Sequence, residues 1–150
     1  MRFCLFSISL IIAACGPSAP PKTQAPRDPT VEAWYGRAVA ELAGMNLRTK
    51  ELLKQGKPDE AAALIVKGEP IGKRLLSIPR PTLAATEAAS DLDDLYGRML
   101  LSNHNYGWAR LLFQKNLARW KYWKPQTPDT ASRLKLAEEA IAECDRKLGQ

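Results

Sequence analysis

The sequence predicts an all-α fold of about five helices, packed as antiparallel hairpins, over residues 30–150. Two observations support a helical fold. Apolar residues recur at spacings of three and four along successive segments, and stretches rich in glycine and proline separate these segments. A third observation excludes a sheet, because no segment alternates between apolar and polar residues over the length of a strand.

Two helices are predicted before residue 82. The first is expected to begin at Thr30, a residue type that caps helices, and to place on one face Val31, Tyr35, Ala38, Leu42 and Met45. Gly56-Lys57-Pro58 ends it, since glycine suits a helix C-terminus and proline the first turn of the next helix. The second helix contains Ala61, Leu64 and Ile65, is interrupted at residues 68–70 (GEP), and continues through Leu75 and Leu76.

Three further helices follow. The third is expected to end near residues 102–105 (SNHN), and its apolar stripe is Ala88, Leu92, Leu95, Tyr96 and Met99. The fourth spans about 106–123, with the stripe Ala109, Phe113, Leu117 and Trp120. Residues 124–129 (KPQTPD) are expected to form the last turn. Within it Thr127 can cap the fifth helix, and Pro128 takes the first helical position. Cys144 lies on the apolar stripe of this helix, which indicates a buried apolar role rather than a reactive thiol.

Two of the predicted hairpins are similar to each other. Residues 47–65 and 95–113 align without a gap at an offset of 48, which pairs Leu47 with Leu95, Ala61 with Ala109 and Ile65 with Phe113. The second window resembles the tetratricopeptide repeat pattern, whose typical positions are occupied by Tyr96, Gly97, Leu100, Tyr106, Ala109 and Phe113. In such a hairpin small residues let the two helices approach closely. Because that family repeats near every 34 residues, an unrelated small helical bundle is the alternative.

The N-terminal residues have the features of a signal peptide. Met1 and Arg2 precede residues 3–14 (FCLFSISLIIAA), which carry no charge. This run is too short for a permanent transmembrane helix, which needs about 20 residues, but it has the length of a signal-peptide core. A buried helix of the folded domain is excluded, because a proline-rich segment follows at once.

Residues 12–15 (IAAC) resemble the lipobox of bacterial lipoproteins. The resemblance implies that Cys15 becomes the first residue of the mature protein and carries acyl chains such as palmitate, with a plain secretory signal as the alternative. Several acyl chains anchor a protein stably where one does not. The implied location is the cell envelope, facing the periplasm. Gly16 stands where aspartate often signals inner-membrane retention, which favours the outer membrane.

The domain organisation follows from these features. Residues 1–14 are the predicted lipoprotein signal peptide, 15–29 the acylated cysteine with a proline-rich tether, and 30–150 a single helical domain. Residues 16–29 contain five prolines and almost no large apolar side chain, so they are expected to form a semi-extended tether. At about 3 Å per residue, the tether would hold the domain roughly 40 Å from the membrane.

Candidates for chemistry are few. The chain contains no nucleotide-binding glycine loop, zinc-ligand spacing or nucleophile elbow. Asp91, Asp93 and Asp94 are expected to form a solvated acidic turn near the start of a helix, stabilised by its dipole. His104 is expected to be an ordinary residue of an interhelical turn. Cys144 would be alone in the mature chain once Cys15 is acylated, which excludes an internal disulfide. The sequence therefore predicts a non-catalytic protein with no cofactor, no metal site and no small-molecule substrate.

The fourth helix has an unusual composition, rich in aromatic and cationic residues. Residues 108–125 (WARLLFQKNLARWKYWKP) contain three of the four tryptophans and five cationic residues, with no acidic residue. Helical spacing places Trp108, Leu111, Lys115, Arg119 and Tyr122 on a face separate from the core stripe. We predict a partner-binding face formed chiefly by Trp108, Arg110, Lys115, Arg119 and Tyr122. The alternative is that Trp108 and Tyr122 pack under a neighbouring helix while the cations extend into solvent.

Two functions remain from the sequence. The first is a membrane-anchored envelope lipoprotein whose helical hairpins bind a protein partner. The second is direct contact of the basic aromatic helix with anionic lipid or cell-wall polymer. Nucleic acid also fits aromatics interleaved with cations, but export argues against it. Replacing Lys115 and Arg119 by glutamate is expected to leave stability nearly unchanged, because exposed charges contribute little.

Overall fold

The computed structural model describes residues 28–149. The predicted signal peptide, Cys15 and nearly all of the tether lie outside the described residues. Within them the fold is all-α, as predicted. A short 3-10 turn over Pro29–Val31 leads into five helices, which are α1 (Ala33–Lys54), α2 (Pro58–Leu76), α3 (Leu83–Ser102), α4 (Tyr106–Tyr122) and α5 (Pro128–Leu148).

The start of the first helix differs from the prediction. Thr30 does not cap α1, because it belongs to the 3-10 turn, where its backbone N–H donates to the Asp28 carboxylate at 2.9 Å. The long helix begins only at Ala33, and Val31 is 80% exposed rather than part of the apolar face. The local side-chain acceptor of Asp28 stabilises a separate turn before the helix.

The predicted interruption of α2 is also wrong. The helix continues through Gly68, Glu69 and Pro70. Pro70 has no N–H to donate to the Val66 carbonyl. Both residues lie on the exposed side of α2, where solvent can hydrate the unpaired carbonyl. Gly68 faces inward, and a Cβ built on it would lie 3.1 Å from methyl groups of Leu42 and Leu92. Packing on α1 and α3 therefore holds the helix together across a sequence that discourages it.

The other predicted boundaries agree with the structure, whereas α3 begins at Leu83, earlier than a first-to-second turn at Asp91 would imply. Gly56 ends the first hairpin turn with φ of 70°, and Pro58 opens α2. Thr82 caps α3 by accepting from the Ala85 N–H, and Thr127 caps α5 in a capping box with Thr130. These residues satisfy N–H groups that have no partner in the first turn of a helix.

The helices form two antiparallel hairpins, and α3 of the second hairpin also packs on the first. In the first hairpin α1 packs on α2, and in the second α3 packs on α4. α3 also packs on α1 and α2, while α5 packs on α4. One core cluster joins α1, α2 and α3, and a second cluster, built from Ala109, Phe113, Ala140 and Cys144, joins α4 to α5. The side of α5 that carries Lys135, Glu138 and Glu139 is exposed, as in a helix that closes an array.

The predicted 48-residue similarity holds only where the helices of a hairpin meet. Ala61 and Ala109 are both fully buried, and so are Ile65 and Phe113. Leu47 and Leu95 differ, since Leu47 is exposed while Leu95 lies in the core. α3 is covered by neighbours on several sides, whereas α1 is the first long helix that the structure describes, so the two equivalent positions have different surroundings.

Polar contacts fix α4 on α3. The Asn116 side chain donates to the Ser90 carbonyl at 2.9 Å, and the Trp120 indole N–H donates to the Ser90 hydroxyl at 2.8 Å. All three residues are buried. Buried polar groups with partners specify one packing arrangement, because any other leaves them unpaired. The rotation of α4, and therefore its outward face, is set by these bonds.

Candidate interaction surface

The outer face of α4 presents three large apolar side chains. Trp108, Leu111 and Tyr122 are 68%, 50% and 75% exposed. Helical spacing places them on one side, because the intervening steps are three and eleven residues, both close to whole turns. The buried residues Ala109, Phe113, Asn116 and Trp120 occupy the opposite side. We call Trp108, Leu111 and Tyr122 the α4 apolar face.

Arg110 does not belong to this face. Its guanidinium pairs with the Asp145 carboxylate of α5. The reason is angular, since Arg110 follows Trp108 by two residues and therefore lies about 200° around the helix from it. The predicted grouping of Arg110 with Trp108 and Tyr122 is wrong, and Arg110 instead links α4 to α5.

Lys115 and Arg119 lie on the same side as the α4 apolar face but turn toward α3. Lys115 Nζ and Arg119 Nη1 approach the two oxygens of Asp93 at 3.0 and 2.6 Å. The Arg119 and Asp93 side chains are only 17% and 14% exposed. Arg119 also donates to the Asn116 side-chain oxygen at 2.7 Å. Two of the predicted partner-binding cations are therefore paired within the domain.

The alternative for α4, in which the aromatic side chains are buried and the cations extend into solvent, is the reverse of what the structure has. Trp108 and Tyr122 do not pack beneath a neighbour, and the cations Arg110, Lys115 and Arg119 are the groups that contact other helices. Within residues 28–149, Lys121 and Lys124 have no carboxylate at ion-pair distance; Lys121 Nζ lies 5.9 Å from the Tyr122 ring centre. The surface that remains available on α4 is mainly apolar and aromatic, with free cations at its C-terminal end.

An open groove runs beside this face. It has a volume of about 710 Å³ and is bounded by α2, α3 and α4. α2 and α4 each pack on α3, whereas the described helices show no comparable packing of α2 on α4. The gap between them exposes a strip of α3 that includes Ala89, Leu92 and Asp93. Lys115 and Arg119 border both the groove and the α4 apolar face.

The three aspartates do not form the predicted solvated turn. α3 begins at Leu83, so Asp91, Asp93 and Asp94 lie in the middle of the helix, beyond the reach of its N-terminal dipole. They point in three directions. Asp93 pairs with α4, Asp91 pairs with Arg133 of α5 at 2.8 Å, and Asp94 pairs with Arg98 of its own helix at 2.8 Å. The prediction was wrong because α3 begins earlier than expected and because the partners of Asp91 and Asp93 come from helices distant in sequence.

Arg133 is the polar residue that sequence patterns missed. It lies near three carboxylates, those of Glu87, Asp91 and Asp129, and its guanidinium stacks 5.3 Å from the Trp120 ring centre. Partial burial raises the pKa of Glu87, and the opposing charge of Arg133 does not cancel this effect. Nothing in the spacing of α5 distinguishes Arg133 from its other basic residues.

The remaining candidates for chemistry lie apart from one another. His104 occupies the turn between α3 and α4 with φ of 61°, and its Nδ1 lies 2.6 Å from the Tyr106 hydroxyl. Cys144 is fully buried, and desolvation raises the pKa of its thiol. Within residues 28–149 no three His, Cys, Asp or Glu side chains are grouped as metal ligands would be.

None of the helices between residues 28 and 149 is long and apolar enough to cross a bilayer. Comparison with protein-family models, curated proteins and solved structures found no match to this chain.

Proposed function

We propose that this protein is a lipid-anchored, non-catalytic helical module of the bacterial cell envelope that binds a protein partner through the α4 apolar face. The observation that carries this proposal is the exposure of Trp108, Leu111 and Tyr122 together on one side of α4. Tryptophan and tyrosine are enriched among residues that dominate binding energy, because they bury a large area at low entropic cost.

The anchor is proposed from the sequence. Residues 12–15 (IAAC) end an uncharged run, and a proline-rich segment separates them from the first turn at Pro29. Acylation of Cys15 would place the helical domain at the end of a tether, facing the periplasm, with outer-membrane attachment favoured by Gly16. Such a tether suits a binding module, since it holds the domain near the membrane while leaving its surface accessible.

Internal pairing of the cations favours a protein partner over an anionic surface. Arg110, Lys115 and Arg119 would be the main attractive charges for lipid head groups or cell-wall polymer, yet each already contacts an aspartate. Releasing them would expose those aspartates to the same anionic surface. An apolar contact at Trp108 and Leu111 needs no such rearrangement.

The proposal is tested by chemical crosslinking in intact cells. We expect Leu111→Ala to weaken crosslinking of the full-length protein to its partner about tenfold or more, as for a residue that dominates binding. Leu136→Ala is the matched control, because Leu136 on α5 is also 50% exposed. Equal effects of the two substitutions would contradict a role for the α4 apolar face.

Contact with anionic lipid or cell-wall polymer is the second candidate. Lys121 and Lys124 beside Tyr122 favour it, since neither pairs with a carboxylate within residues 28–149 and aromatic and basic side chains together suit a membrane interface. Salt separates the two functions. Electrostatic contact with an anionic surface weakens steeply between low and physiological ionic strength, whereas an apolar protein contact changes little.

A further inference from the structure

The groove between α2 and α4 combines an apolar floor with a cationic rim. Ala89 and Leu92 of α3 form the floor, and Leu76 of α2 adds to it. Lys73 stands on the α2 rim, with Lys115 and Arg119 on the α4 rim. A ligand in this groove would therefore meet apolar side chains below and positive charges on both sides.

The charges exposed at the rim are mainly positive. Asp93 lies at the floor with its side chain 14% exposed, and it is shared by two cations. One carboxylate between two cations leaves a net positive charge on that wall. Within residues 28–149, Lys73 has no carboxylate at ion-pair distance, including that of Glu69 one turn before it. The three cations and two carboxylates of the groove leave an excess of one positive charge.

Exposed apolar residues continue along both walls beyond this charged section. Helical spacing places Val66, which is 66% exposed, on the same side of α2 as Pro70 and Lys73. On α4 it places Trp108 and Leu111 one to two turns before Lys115. α2 runs antiparallel to α3, because Gly68 lies near Leu92 and the later Gly72 near Ala89. α4 does so too, because Phe113 lies near Gly97 and the later Trp120 donates to Ser90. The two walls are therefore parallel, and each has an exposed apolar stretch before its cations.

We infer that the groove receives an amphipathic segment of the protein partner, with apolar side chains on the floor and carboxylates at the rim. This inference rests on the proposed function, because both place a protein beside α4. The occupant is argued from charge complementarity, since the groove carries one excess positive charge and a glutamate or aspartate side chain would pair with Lys73, which has no carboxylate at ion-pair distance within residues 28–149. An acyl chain is a poorer occupant, because the open side of the groove would leave it in contact with water.

The probe is a random twelve-residue peptide library selected on the full chain purified from membranes and held in phosphatidylcholine nanodiscs. Selected peptides are expected to be enriched in aspartate and glutamate next to leucine, isoleucine or phenylalanine. Lys73→Glu is expected to weaken their binding about threefold to tenfold, as for reversal of one charge at a polar rim. Lys67→Glu is the matched control, since Lys67 is exposed on another side of the same helix and does not border the groove.

Each other outcome overturns the inference. These outcomes are selection of no peptide, selection without acidic enrichment, or equal effects of Lys73→Glu and Lys67→Glu at unchanged melting temperatures. Lys73-dependent binding to phosphatidylglycerol vesicles would assign the groove to a lipid head group instead. If Leu111→Ala still abolishes crosslinking in cells while the peptide test fails, the α4 apolar face remains the binding site and only the groove is excluded.

Discussion

Gly97 and Asp93, one turn apart on α3, determine at the scale of single residues how α4 is held. A Cβ built on Gly97 would lie 2.7 Å from the Phe113 ring, so the absence of a side chain lets the two helices approach. Asp93 holds the same helix from the groove side through Lys115 and Arg119. Gly97 therefore permits the close contact between α3 and α4, and Asp93 fixes the orientation of α4.

Gly97→Ala is expected to destabilise the fold by about 1–3 kcal/mol, because the Phe113 ring lies in the core and must move to admit the methyl group. Gly44→Ala is the control, since Gly44 lies inside α1 and a Cβ there meets no atom within 4 Å. It is expected to stabilise by about 0.5–1 kcal/mol through helix propensity. Urea denaturation followed by circular dichroism measures both, and a stabilising Gly97→Ala would refute the close approach.

Arg119→Glu is expected to lower the free energy of unfolding by about 2–3 kcal/mol, contrary to the expectation from sequence that charge reversal here is nearly neutral. It removes one partner of Asp93 and adds a like charge at a site that is largely buried. Lys121→Glu makes the same change at an exposed position that has no ion pair among residues 28–149, and it should cost less than about 1 kcal/mol. Similar melting temperatures for the two variants would show that the Asp93 cluster contributes little.

At the scale of elements, α2 and α4 form the walls of the groove, and each departs from what its sequence favours. α2 remains one helix through Pro70 because Gly68 and Gly72 pack against α1 and α3. α4 carries a strongly basic sequence, yet its cations serve mostly to connect helices. In both cases neighbouring helices determine the outcome.

Pro70→Ala is expected to stabilise the fold by about 2 kcal/mol. The substitution restores an N–H donor to the Val66 carbonyl and removes a ring that a helix interior disfavours by about 3 kcal/mol. Alanine also gives the unfolded chain more conformational entropy, which reduces the net gain in stability. Pro70 is exposed, so little packing is lost. Thermal melting gives the measurement, and Pro58→Ala at the first turn of α2 is the control, with a change near zero or slightly unfavourable. A loss of stability in Pro70→Ala would mean that the proline is required where it stands.

At the scale of the whole molecule, the five helices within residues 28–149 form two hairpins and a closing helix, and this domain begins at the end of the proposed tether. Its termini therefore differ in surroundings. The N-terminal turn follows the proline-rich segment, while α5 presents a charged outer side. This arrangement suits a domain displayed from a membrane, with the α4 apolar face available to a partner.

Cys15→Ser is expected to abolish incorporation of a clickable fatty acid, because no thiol remains at the lipobox position to accept the diacylglyceryl group. The protein should then leave the membrane fraction or accumulate in its unprocessed form. Cys144→Ser is the control, since the buried thiol lies in the core of the helical domain. Equal labelling of the wild type and Cys15→Ser would contradict the proposed anchor.

The sequence by itself determined the helical class, most helix boundaries and the hairpin seam. These depend on local rules, since Pro58, Thr127 and Pro128 act within one turn and the spacing of Ala109, Phe113 and Trp120 reflects a single helix. Helical spacing left two alternatives for Trp108 and Tyr122, which could be exposed or covered by a neighbouring helix. The spacing shows which residues share a face, but it does not show whether another helix packs on that face.

Only the tertiary structure decided which charges are free and where a groove opens. Asp93 and Arg119 are 26 residues apart and become partners because α4 folds back on α3. The same folding turns Arg110 toward Asp145 and leaves Lys73 at the rim of the groove without a carboxylate partner among the described residues. Coulomb interactions depend on distance in space, and helical periodicity specifies such distances only within one helix. The sequence of α4 is therefore basic, while its exposed surface is mainly apolar, because most of its cations pair with other helices.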